Sequence, residues 1–489
     1  MFTPDPALAA QVFPPAHRNP TPRGRYNLVV IGGGTAGLVC AAGAAGLGAR
    51  VALVERRALG GDCLNVGCVP SKALIRAAHA AHAVREAAAF GVQARLERIE
   101  FGAVMARVRS VRQAISPHDS VARFEALGVD VFLGQARFVS REAIEVAGTR
   151  LTFARAVIAT GGRPVMPDVS GLRGAAPLTN ESIFEIDDLP PRLVVIGGGP
   201  VGCELAQAFA RLGSSVTIVQ RGAALLGRES AGVAAVVRAA LVADGVRVLT
   251  RSEVTRVATL DGSRRVTIAH PDGEVVVDAS HILVAAGRQP NVEELDLPRA
   301  GVAWSPRGVT VDAHLRTANP AIYAAGDVCL PQHFTHAADA SARVVVQNAL
   351  FLGRTQVRRS SIPRCTYTDP EVAVVGETPD DDPALQTFAV PWEDVDRART
   401  DGEHTGGVWL YARRGRVAGG TVVGRQAGDL AGEIAVLASQ GVSLATLARI
   451  VHPYPTRGEA IRKAADLYNR TRLTPTVRGL FDRWLAWRR

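Results

Sequence analysis

Two cysteines five positions apart are the residues of this sequence best suited to chemistry. Cys63 and Cys68 lie in the stretch GGDCLNVGCVPSK, in a chain of 489 residues that contains six cysteines. A zinc site usually needs four ligands, and the neighbouring sequence offers no second pair. A structural disulfide closing so short a loop has little purpose in a reducing compartment. We therefore predict a dithiol that is oxidised and reduced in turn.

The residues after the second cysteine support a redox role. CVPSKALIRAAHAAHAV is typical of a helix that begins near Cys68, and a helix N-terminus lowers the pKa of a thiol placed there. Lys72 follows within this segment and is one of two lysines among 56 basic residues. Because arginine serves almost everywhere else, we expect this ammonium to have a specific purpose.

Two copies of a nucleotide-binding pattern would position this dithiol. The first copy, YNLVVIGGGTAGLVCAAGAAGLGARVALVER, predicts strand, glycine turn, helix and strand. Gly32, Gly34 and Gly37 allow a tight turn, the approach of a pyrophosphate and the packing of helix on strand. The phosphate would sit on the helix N-terminus, and Glu55 would accept the ribose hydroxyls. The first copy therefore predicts a dinucleotide site.

The second copy is RLVVIGGGPVGCELAQAFARLGSSVTIVQR. Its glycines are Gly197, Gly199 and Gly202. Its second strand ends in Gln220 and Arg221, not in an acid. A carboxylate at this position would repel a 2′-phosphate. Arg221 and Arg228 could bind that phosphate, which favours NADPH over NADH, although both could also be solvated surface residues. Two dinucleotide sites in one chain indicate a flavoenzyme with a nicotinamide electron donor.

Seven segments then identify a family resemblance. They are GGTAGLVCAAGAAGLGARVALVE, GGDCLNVGCVPSK, AVIATGGRP, VVIGGGPVGCELA, AIYAAGDV, YTDPEVAVVG and HPYPTRGE. Their order resembles that of the FAD-dependent pyridine nucleotide–disulfide reductases, from about residue 26 to residue 469, and most of all the mercuric reductase-like branch. The resemblance implies an α/β fold with two Rossmann-like, three-layer nucleotide-binding domains and an α+β C-terminal dimerisation domain.

The same resemblance suggests the domain boundaries. A proline-rich arm at 1–24, expected to lie on the surface, would precede an FAD-binding domain at 25–167 and an NAD(P)-binding domain at 168–290. The FAD-binding domain would be completed by 291–358, and 359–489 would form the dimerisation domain. The expected assembly is a homodimer, in which dimerisation-domain residues complete the partner's active site.

Roles for individual residues also follow from the resemblance. Five residues are assigned to cofactor binding: Thr160, Gly161, Gly287, Gly326 and Asp327. Lys72 and Glu204 match an ion pair beside flavin N5. Hydride would pass from NADPH (NADH being possible) to FAD, and reduced FAD would open the Cys63–Cys68 bond through Cys68. Cys63 would then attack a disulfide or bind a metal ion.

The HPYPTRGE segment departs from the disulfide-reducing relatives. Those proteins carry His-x-His-Pro-Thr, whose second histidine acts as acid and base and is oriented by a glutamate. Here Tyr454 takes that position, Glu459 matches the glutamate and His452 the first histidine. A free phenol titrates near a pKa of about 10 and histidine near about 6.5, so tyrosine is a poor proton shuttle at neutral pH. The exchange resembles mercury- and copper-reducing relatives, with His452 as an alternative base.

The acceptor therefore stays open between a soft metal ion, Hg(II) or Cu(II), and a disulfide. Mercuric reductases carry a C-terminal cysteine pair, whereas no cysteine here follows Cys365. The alternatives are a dihydrolipoamide dehydrogenase-like enzyme and a slow redox-sensing flavoprotein. Cys40, Cys203, Cys329 and Cys365 are expected to be packed as small apolar residues, and no resident metal site is expected.

The composition and the sequence restrict the possible binding partners and the cellular compartment of the protein. The net charge is +10, but the basic residues are scattered, so we expect no nucleic-acid partner. No segment resembles a signal peptide or a bilayer span, which favours the cytoplasm. The last segment, 477–487, mixes tryptophan, leucine and arginine. It could be a membrane-surface helix, but packing on the dimer is the interpretation we favour.

Overall fold

The computed structural model describes residues 5–260, 262–351, 353–357 and 362–489. The chain divides into two compact units. The first is Met1–Ala223 with Asp244–Val357, and the second is Ala224–Ala243 with Arg358–Arg489. Both units mix helices with strands, and the α/β prediction is confirmed. The domain boundaries expected from the sequence stay a prediction.

The elements have the following bounds. The helices are α1 (Pro6–Val12), α2 (Thr35–Gly46), α3 (Gly61–Asn65), α4 (Cys68–Glu86), α5 (Phe101–Ile115), α6 (Val121–Ala126), α7 (Pro200–Leu212), α8 (Ala231–Ala243), α9 (Leu297–Ala300), α10 (Thr335–Leu350), α11 (Asp396–Thr400), α12 (Ala427–Ser439), α13 (Leu444–Leu447), α14 (Glu459–Arg472) and α15 (Pro475–Trp487). The strands of the first unit are β1 (Tyr26–Ile31), β2 (Val51–Glu55), β3 (Asp130–Leu133), β4 (Ala136–Ser140), β5 (Ala143–Val146), β6 (Thr149–Ile158), β7 (Gly162–Pro164), β8 (Arg192–Ile196), β9 (Ser215–Gln220), β10 (Arg247–Thr250), β11 (Glu253–Leu260), β12 (Ser263–His270), β13 (Gly273–Ala279), β14 (His281–Val284), β15 (Arg288–Pro290), β16 (Trp304–Ser305), β17 (Gly308–Val309) and β18 (Ile322–Ala324). Those of the second unit are β19 (Arg364–Thr366), β20 (Glu371–Gly376), β21 (Gln386–Pro391), β22 (Gly407–Arg413) and β23 (Arg416–Gly424).

Two sheets form the frame of the first unit, one mixed and one parallel; in the mixed sheet β5 pairs antiparallel with β4 and with β6. The first runs in the order β3-β2-β1-β6-β5-β4, with β18 parallel to β6, and the second runs β10-β9-β8-β14. β1 reads YNLVVI and is almost continuously buried, as expected of a parallel strand covered on both faces. In each sheet a glycine turn follows the first strand of the pattern and leads into a helix, α2 or α7. Both nucleotide-binding patterns therefore fold as strand, turn and helix, as the sequence predicts.

The N-terminal arm does not lie wholly on the surface, contrary to our expectation from the sequence. α1 begins after Asp5, whose Oδ1 accepts hydrogen bonds from the backbone N–H groups of Ala7 and Leu8 at 3.1 and 3.0 Å. Leu8 and Val12 are fully buried in the same apolar cluster as β1 and α2. The prediction missed this because two apolar residues one helical turn apart are a weak signal in a proline-rich segment.

The second unit is built on an antiparallel sheet in the order β19-β20-β23-β22-β21. Trp392, which follows β21 directly, is fully buried in the apolar core of this unit, and its indole Nε1–H donates to the carbonyl of Val423 at 2.6 Å. α12 and α14 contribute apolar faces to this core. α15 contributes no buried residue. Among the described residues, no helix is long and apolar enough to cross a membrane.

Candidate active site

The first glycine turn is shaped for close approach by a ligand. Gly32 has a φ of +112°, which favours glycine, and a Cβ there would lie 2.3 Å from the carbonyl oxygen of Ala159. A Cβ on Gly37 would lie 1.7 Å from the carbonyl oxygen of Gly32. Gly34 precedes α2, and within the described chain no side chain caps this helix. Its first N–H groups can therefore bind a phosphate.

Glu55 closes this turn as the sequence predicts for a ribose-binding acid. Its Oε2 accepts the N–H of Gly33 at 2.6 Å, and its Oε1 accepts the N–H of Arg57 at 2.7 Å. Burial raises the pKa of the Glu55 carboxyl, and these hydrogen bonds oppose the rise. The carboxylate is thus held at the end of β2, beside the glycine turn.

The second turn repeats this geometry with an amide in place of the acid. Gly197 has a φ of +113°, and a Cβ on Gly202 would lie 2.0 Å from the carbonyl oxygen of Gly197. Gln220 Oε1 accepts the N–H of Gly198 at 2.8 Å, the same contact that Glu55 makes in the first turn. Arg221 and Arg228 are exposed, which leaves both sequence interpretations of these arginines open.

The second flavin segment lies against the first turn. Gly326 has a φ of +76°, and a Cβ there would lie 3.2 Å from the Cβ of Ala36 in α2. Asp327 Oδ2 lies 3.6 Å from Arg288 Nε, and the same guanidinium pairs with Asp62, the neighbour of Cys63. Burial raises the pKa of Asp327, and the positive charge of Arg288 opposes this. Arg288 therefore interacts both with Asp327 and with Asp62 of the cysteine loop.

The chain crossing at Thr160 and Gly161 is tied to residue 291. Thr160 Oγ1 donates to the carbonyl of Asn291 at 2.7 Å, and Asn291 Nδ2 donates to the carbonyl of Thr160 at 2.9 Å. Gly287 lies just before β15 with a φ of +122°, and its carbonyl accepts the N–H of Val165 at 3.0 Å. The three residues that we assigned to cofactor binding here thus lie where β7 and β15 pair.

The cysteine pair spans the step from α3 to α4. Cys63 lies within α3, Cys68 is the first residue of α4, and both are thiols in this structure. A hydrogen bond from Cys63, a second contact to Thr335 and the charge of Lys72 lower the pKa of Cys68 to about 6, against the effect of burial. Cys68 Sγ lies 3.3 Å from Thr335 Oγ1. Cys68 is therefore the thiolate of the pair at neutral pH.

Cys63 is shifted in the opposite direction. Its hydrogen bond to Cys68 and its burial raise the pKa of Cys63, and the negative charge of Asp119 adds to the rise. Asp119 Oδ2 lies 3.0 Å from the position that a Cβ on Gly60 would take, next to the start of α3. The surroundings of the pair thus favour negative charge on Cys68 over Cys63.

Residues that the sequence analysis missed hold the loop between the two cysteines. Arg112 of α5 is fully buried, and its Nη1 donates to the carbonyl of Asn65 at 3.0 Å and to Glu185 Oε1 at 2.5 Å. Asn180 Nδ2 donates to the carbonyl of Val66 at 3.2 Å. No local motif marks these residues, since their partners lie far away in sequence.

Lys72 and Glu204 meet between α4 and α7. Lys72 Nζ lies 2.7 Å from Glu204 Oε2, and the carboxylate side chain is only 7% exposed. A carboxylate buried to this extent needs a paired cation, because an isolated buried charge is costly. The structure brings this pair together one helical turn beyond Cys68, while its action on the flavin stays a prediction.

A cavity of about 380 Å³ opens beside the thiolate. It is lined by Cys68 and Lys72, by two arginines, Arg76 and Arg107, and by apolar residues that include Val111. The cavity exposes the Cys68 side chain, and the two guanidinium groups make its wall positively charged.

Three predicted site residues belong to the second unit. Tyr454 is 68% exposed, and its hydroxyl donates to Asp396 Oδ2 at 2.9 Å. This hydrogen bond and the charge of Asp396 raise the pKa of Tyr454. His452 Nε2 contacts Glu433 Oε1 at 2.8 Å, and Glu459 Oε1 lies 3.4 Å from Arg462 Nη2. Tyr454 and His452 are thus each hydrogen-bonded to a carboxylate other than Glu459.

The remaining four cysteines are buried or partly buried. Cys40 and Cys203 are fully buried in helices, and burial raises the pKa of both thiols. Cys329 and Cys365 are partly buried and pack against apolar clusters. Within the described residues, no group of three or more histidine, cysteine, aspartate or glutamate side chains could hold a metal ion.

The geometry fits FAD and a nicotinamide dinucleotide. Both glycine turns leave room that a Cβ would fill, and both lead into helices that no side chain caps among the residues described. Together with a thiolate–thiol pair and a buried lysine–glutamate pair, they define a dinucleotide-dependent redox enzyme.

The chain belongs to the pyridine nucleotide-disulphide oxidoreductase family. Residues 26–342 match this family, and residues 362–465 match its dimerisation domain. The chain is 36% identical over 456 residues to the mercuric reductase of Streptomyces lividans, covering 91% of this chain and 96% of that protein. It is 31% identical over 451 residues to the dihydrolipoyl dehydrogenase of Geobacillus stearothermophilus, covering 90% and 95%.

A solved structure shows the same fold. The Cu(II) complex of the HOCl-induced flavoprotein disulfide reductase RclA from Escherichia coli superposes with a TM-score of 0.80 at 25% identity, covering 91% of this chain and 99% of that one. The protein is therefore an FAD-dependent NAD(P)H oxidoreductase, and the predicted family, fold and cofactors are confirmed. The matched dimerisation domain supports the predicted homodimer.

Proposed function

We propose that this protein uses the Cys63–Cys68 dithiol to pass electrons from NADPH to a soft metal ion, Hg(II) or Cu(II), or to a disulfide. The observation that carries the proposal is the position of Cys68 at the start of α4, with its Sγ 3.3 Å from Thr335 Oγ1. These surroundings lower the pKa of Cys68, whereas burial and the neighbouring Cys68 raise the pKa of Cys63. When bound, FAD supplies two-electron exchange between the nicotinamide and the dithiol. The residues of the chain prepare the sulfur atoms for that exchange.

The two sulfur atoms have different tasks. The α4 N-terminus, Thr335 and Lys72 stabilise negative charge on Cys68, so this sulfur is ready to react without a base. Cys63 retains the proton and can release it when its sulfur binds a metal ion or attacks a disulfide. Glu204 keeps the Lys72 ammonium in place through its 2.7 Å contact.

A metal ion is favoured over a disulfide because of the position that Tyr454 occupies. Disulfide reduction releases a thiolate that must be protonated, and Tyr454 has a raised pKa that makes its phenol a poor partner in proton transfer near neutral pH. Reduction of Hg(II) to Hg(0) needs two electrons and no such proton, so NADPH would be converted to NADP⁺ with release of H⁺. Similarity to mercuric reductases and to a protein solved with Cu(II) supports this acceptor.

The cavity beside Cys68 suggests the form in which the metal arrives. Arg76 and Arg107 at its wall would attract a negatively charged acceptor. Soft metal ions bound by carboxylate-bearing thiols have that charge, and thiol exchange with Cys68 or Cys63 would transfer the ion to the protein.

NADPH is the proposed donor because of the second glycine turn. Gln220 occupies the place that Glu55 takes in the first turn, so no carboxylate faces the ribose at that position. Arg221 follows directly and is exposed, which leaves its guanidinium available for a 2′-phosphate.

A dihydrolipoamide dehydrogenase-like activity is the second candidate. It is favoured by the 31% identity to dihydrolipoyl dehydrogenase and disfavoured by Tyr454. A slow redox-sensing flavoprotein would also retain the dithiol.

The deciding experiment compares acceptors in one assay. NADPH oxidation is measured with Hg(II), Cu(II), lipoamide and glutathione disulfide, for the native protein and for the variants Cys63→Ser and Cys365→Ser. We expect metal-dependent turnover that Cys63→Ser abolishes and that Cys365→Ser preserves. Full activity of Cys63→Ser toward every acceptor would disprove the dithiol mechanism, and efficient lipoamide turnover would establish the second candidate.

A further inference from the structure

The last helix of the chain carries an unusually exposed apolar face. None of the residues of α15 is buried, and five of its large apolar side chains are between 52% and 76% exposed. They are Leu480, Phe481, Trp484, Leu485 and Trp487. A contiguous apolar surface of this kind on one protomer usually contacts something.

The start of α15 is stabilised by residues of the helix itself and by its N-cap. Thr474 Oγ1 accepts the N–H of Val477 at 3.3 Å, and Pro475 takes the first helical position, where its missing N–H is harmless. Residues 480, 484 and 487 lie on one stripe, with 481 and 485 beside it. The face therefore forms without help from a packed core.

The charge of this segment selects among possible partners. From Arg470 to Arg489 the sequence has arginine at 470, 472, 478, 483, 488 and 489, and Asp482 is the lone acidic residue. The whole chain also has a net charge of +10, so two such helices would repel each other face to face. An anionic surface is complementary to this segment.

We propose that α15 binds the surface of a membrane that contains anionic lipids. The helix would lie in the headgroup plane, with its apolar face in the acyl boundary and its arginines toward lipid phosphates. At about 1.5 Å per residue, its 13 residues are too short to cross a hydrocarbon core of about 30 Å. The packing of this segment on the dimer, which the sequence favoured, stays a prediction and is the competing outcome of the test below.

The two tryptophans fit an interfacial position. The rings of Trp484 and Trp487 lie 5.2 Å apart, and the guanidinium of Arg488 lies 6.0 Å from the Trp484 ring centroid. Tryptophan combines a large apolar ring with a polar N–H, which suits the boundary between headgroups and acyl chains. An arginine stacked there keeps its charge toward the phosphates while its stem covers apolar surface.

The test is vesicle flotation with the full-length holoenzyme. Binding is compared on vesicles of phosphatidylcholine and on vesicles of phosphatidylcholine with phosphatidylglycerol, with and without added salt. We expect about tenfold stronger binding to the anionic vesicles and release by salt. The variant Trp484→Ala/Trp487→Ala should lose binding about tenfold, whereas Trp304→Ala, which alters an exposed tryptophan of the first unit, should keep it.

Three results would overturn the proposal. The holoenzyme could fail to float with either vesicle, or it could float equally with both. The paired tryptophan variant could instead bind vesicles normally while light scattering shows a smaller oligomer, which would place α15 in the contact between two copies. NADPH oxidation by each variant is measured in parallel, so that failure of this proposal is separated from failure of the proposed reaction.

Discussion

Removal of the Thr335 hydroxyl is the sharpest test of how the thiolate is stabilised. Thr335 Oγ1 lies 3.3 Å from Cys68 Sγ, and its hydrogen bond contributes to lowering the pKa of Cys68 to about 6. Hydrogen bonds to charged groups are worth about 1.5–3 kcal/mol. Because Cys68 is exposed and water screens part of the interaction, we take the lower value, about 1.5 kcal/mol. That energy corresponds to a rise of about one pKa unit in Thr335→Val.

The assay follows the thiolate directly. The holoenzyme is reduced anaerobically by two electrons, and the long-wavelength thiolate–flavin absorbance is recorded against pH. In the native protein the band should be present above pH about 6 and fade as the pH falls through that value, because protonation removes the thiolate. In Thr335→Val the midpoint should move to about 7, while Thr335→Ser, which keeps a hydroxyl, should stay close to native. Equal midpoints in all three proteins would refute this reasoning.

Three further predictions concern the loop, the first turn and the donor. Arg112→Gln should lower the free energy of unfolding by about 3 kcal/mol, because it removes the buried guanidinium that pairs with Glu185. Arg109 lies on the same helix and pairs with Asp187 at the surface, so Arg109→Gln should lower it by less than about 1 kcal/mol. Urea unfolding measures both changes. Gly37→Ala should abolish flavin retention, because the new Cβ would lie 1.7 Å from the carbonyl oxygen of Gly32. Gly46→Ala in the same helix should retain flavin, since a Cβ there would meet no atom within 4 Å among the described residues. A normal flavin-to-protein absorbance ratio in Gly37→Ala would contradict this prediction. Arg221→Ala should raise the KM for NADPH about tenfold and leave that for NADH unchanged, and a parallel loss with both donors would show that the arginine does not bind the 2′-phosphate.

The cofactor sites were predictable because their constraints are local. A glycine is required at position 37 since the carbonyl of Gly32, five residues earlier, occupies the space of a side chain. The same sequence distance governs the Gly197–Gly202 turn. Such requirements are visible in a short segment, so the sequence suffices to indicate two dinucleotide sites.

The packing of the termini was not predictable in this way. α1 enters the core through Leu8 and Val12, although its surroundings suggested an exposed arm. α15 has the residues of a packed amphipathic helix and yet buries none of them. Periodicity indicates that a helix has an apolar face, but burial depends on which distant elements reach that face.

The sequence by itself determined the two nucleotide turns and the presence of tyrosine at Tyr454, and it predicted a redox role for Cys63 and Cys68, because each of these features lies in neighbouring residues. The sequence also indicated that Cys68 begins a helix that favours a thiolate, but only the tertiary structure showed which distant side chains surround the pair. Thr335, which supports the thiolate, lies 267 residues from Cys68, and Arg112, which holds the intervening loop, lies on another helix. A pKa depends on the charges and hydrogen-bond donors within a few ångströms, and folding alone brings those groups together.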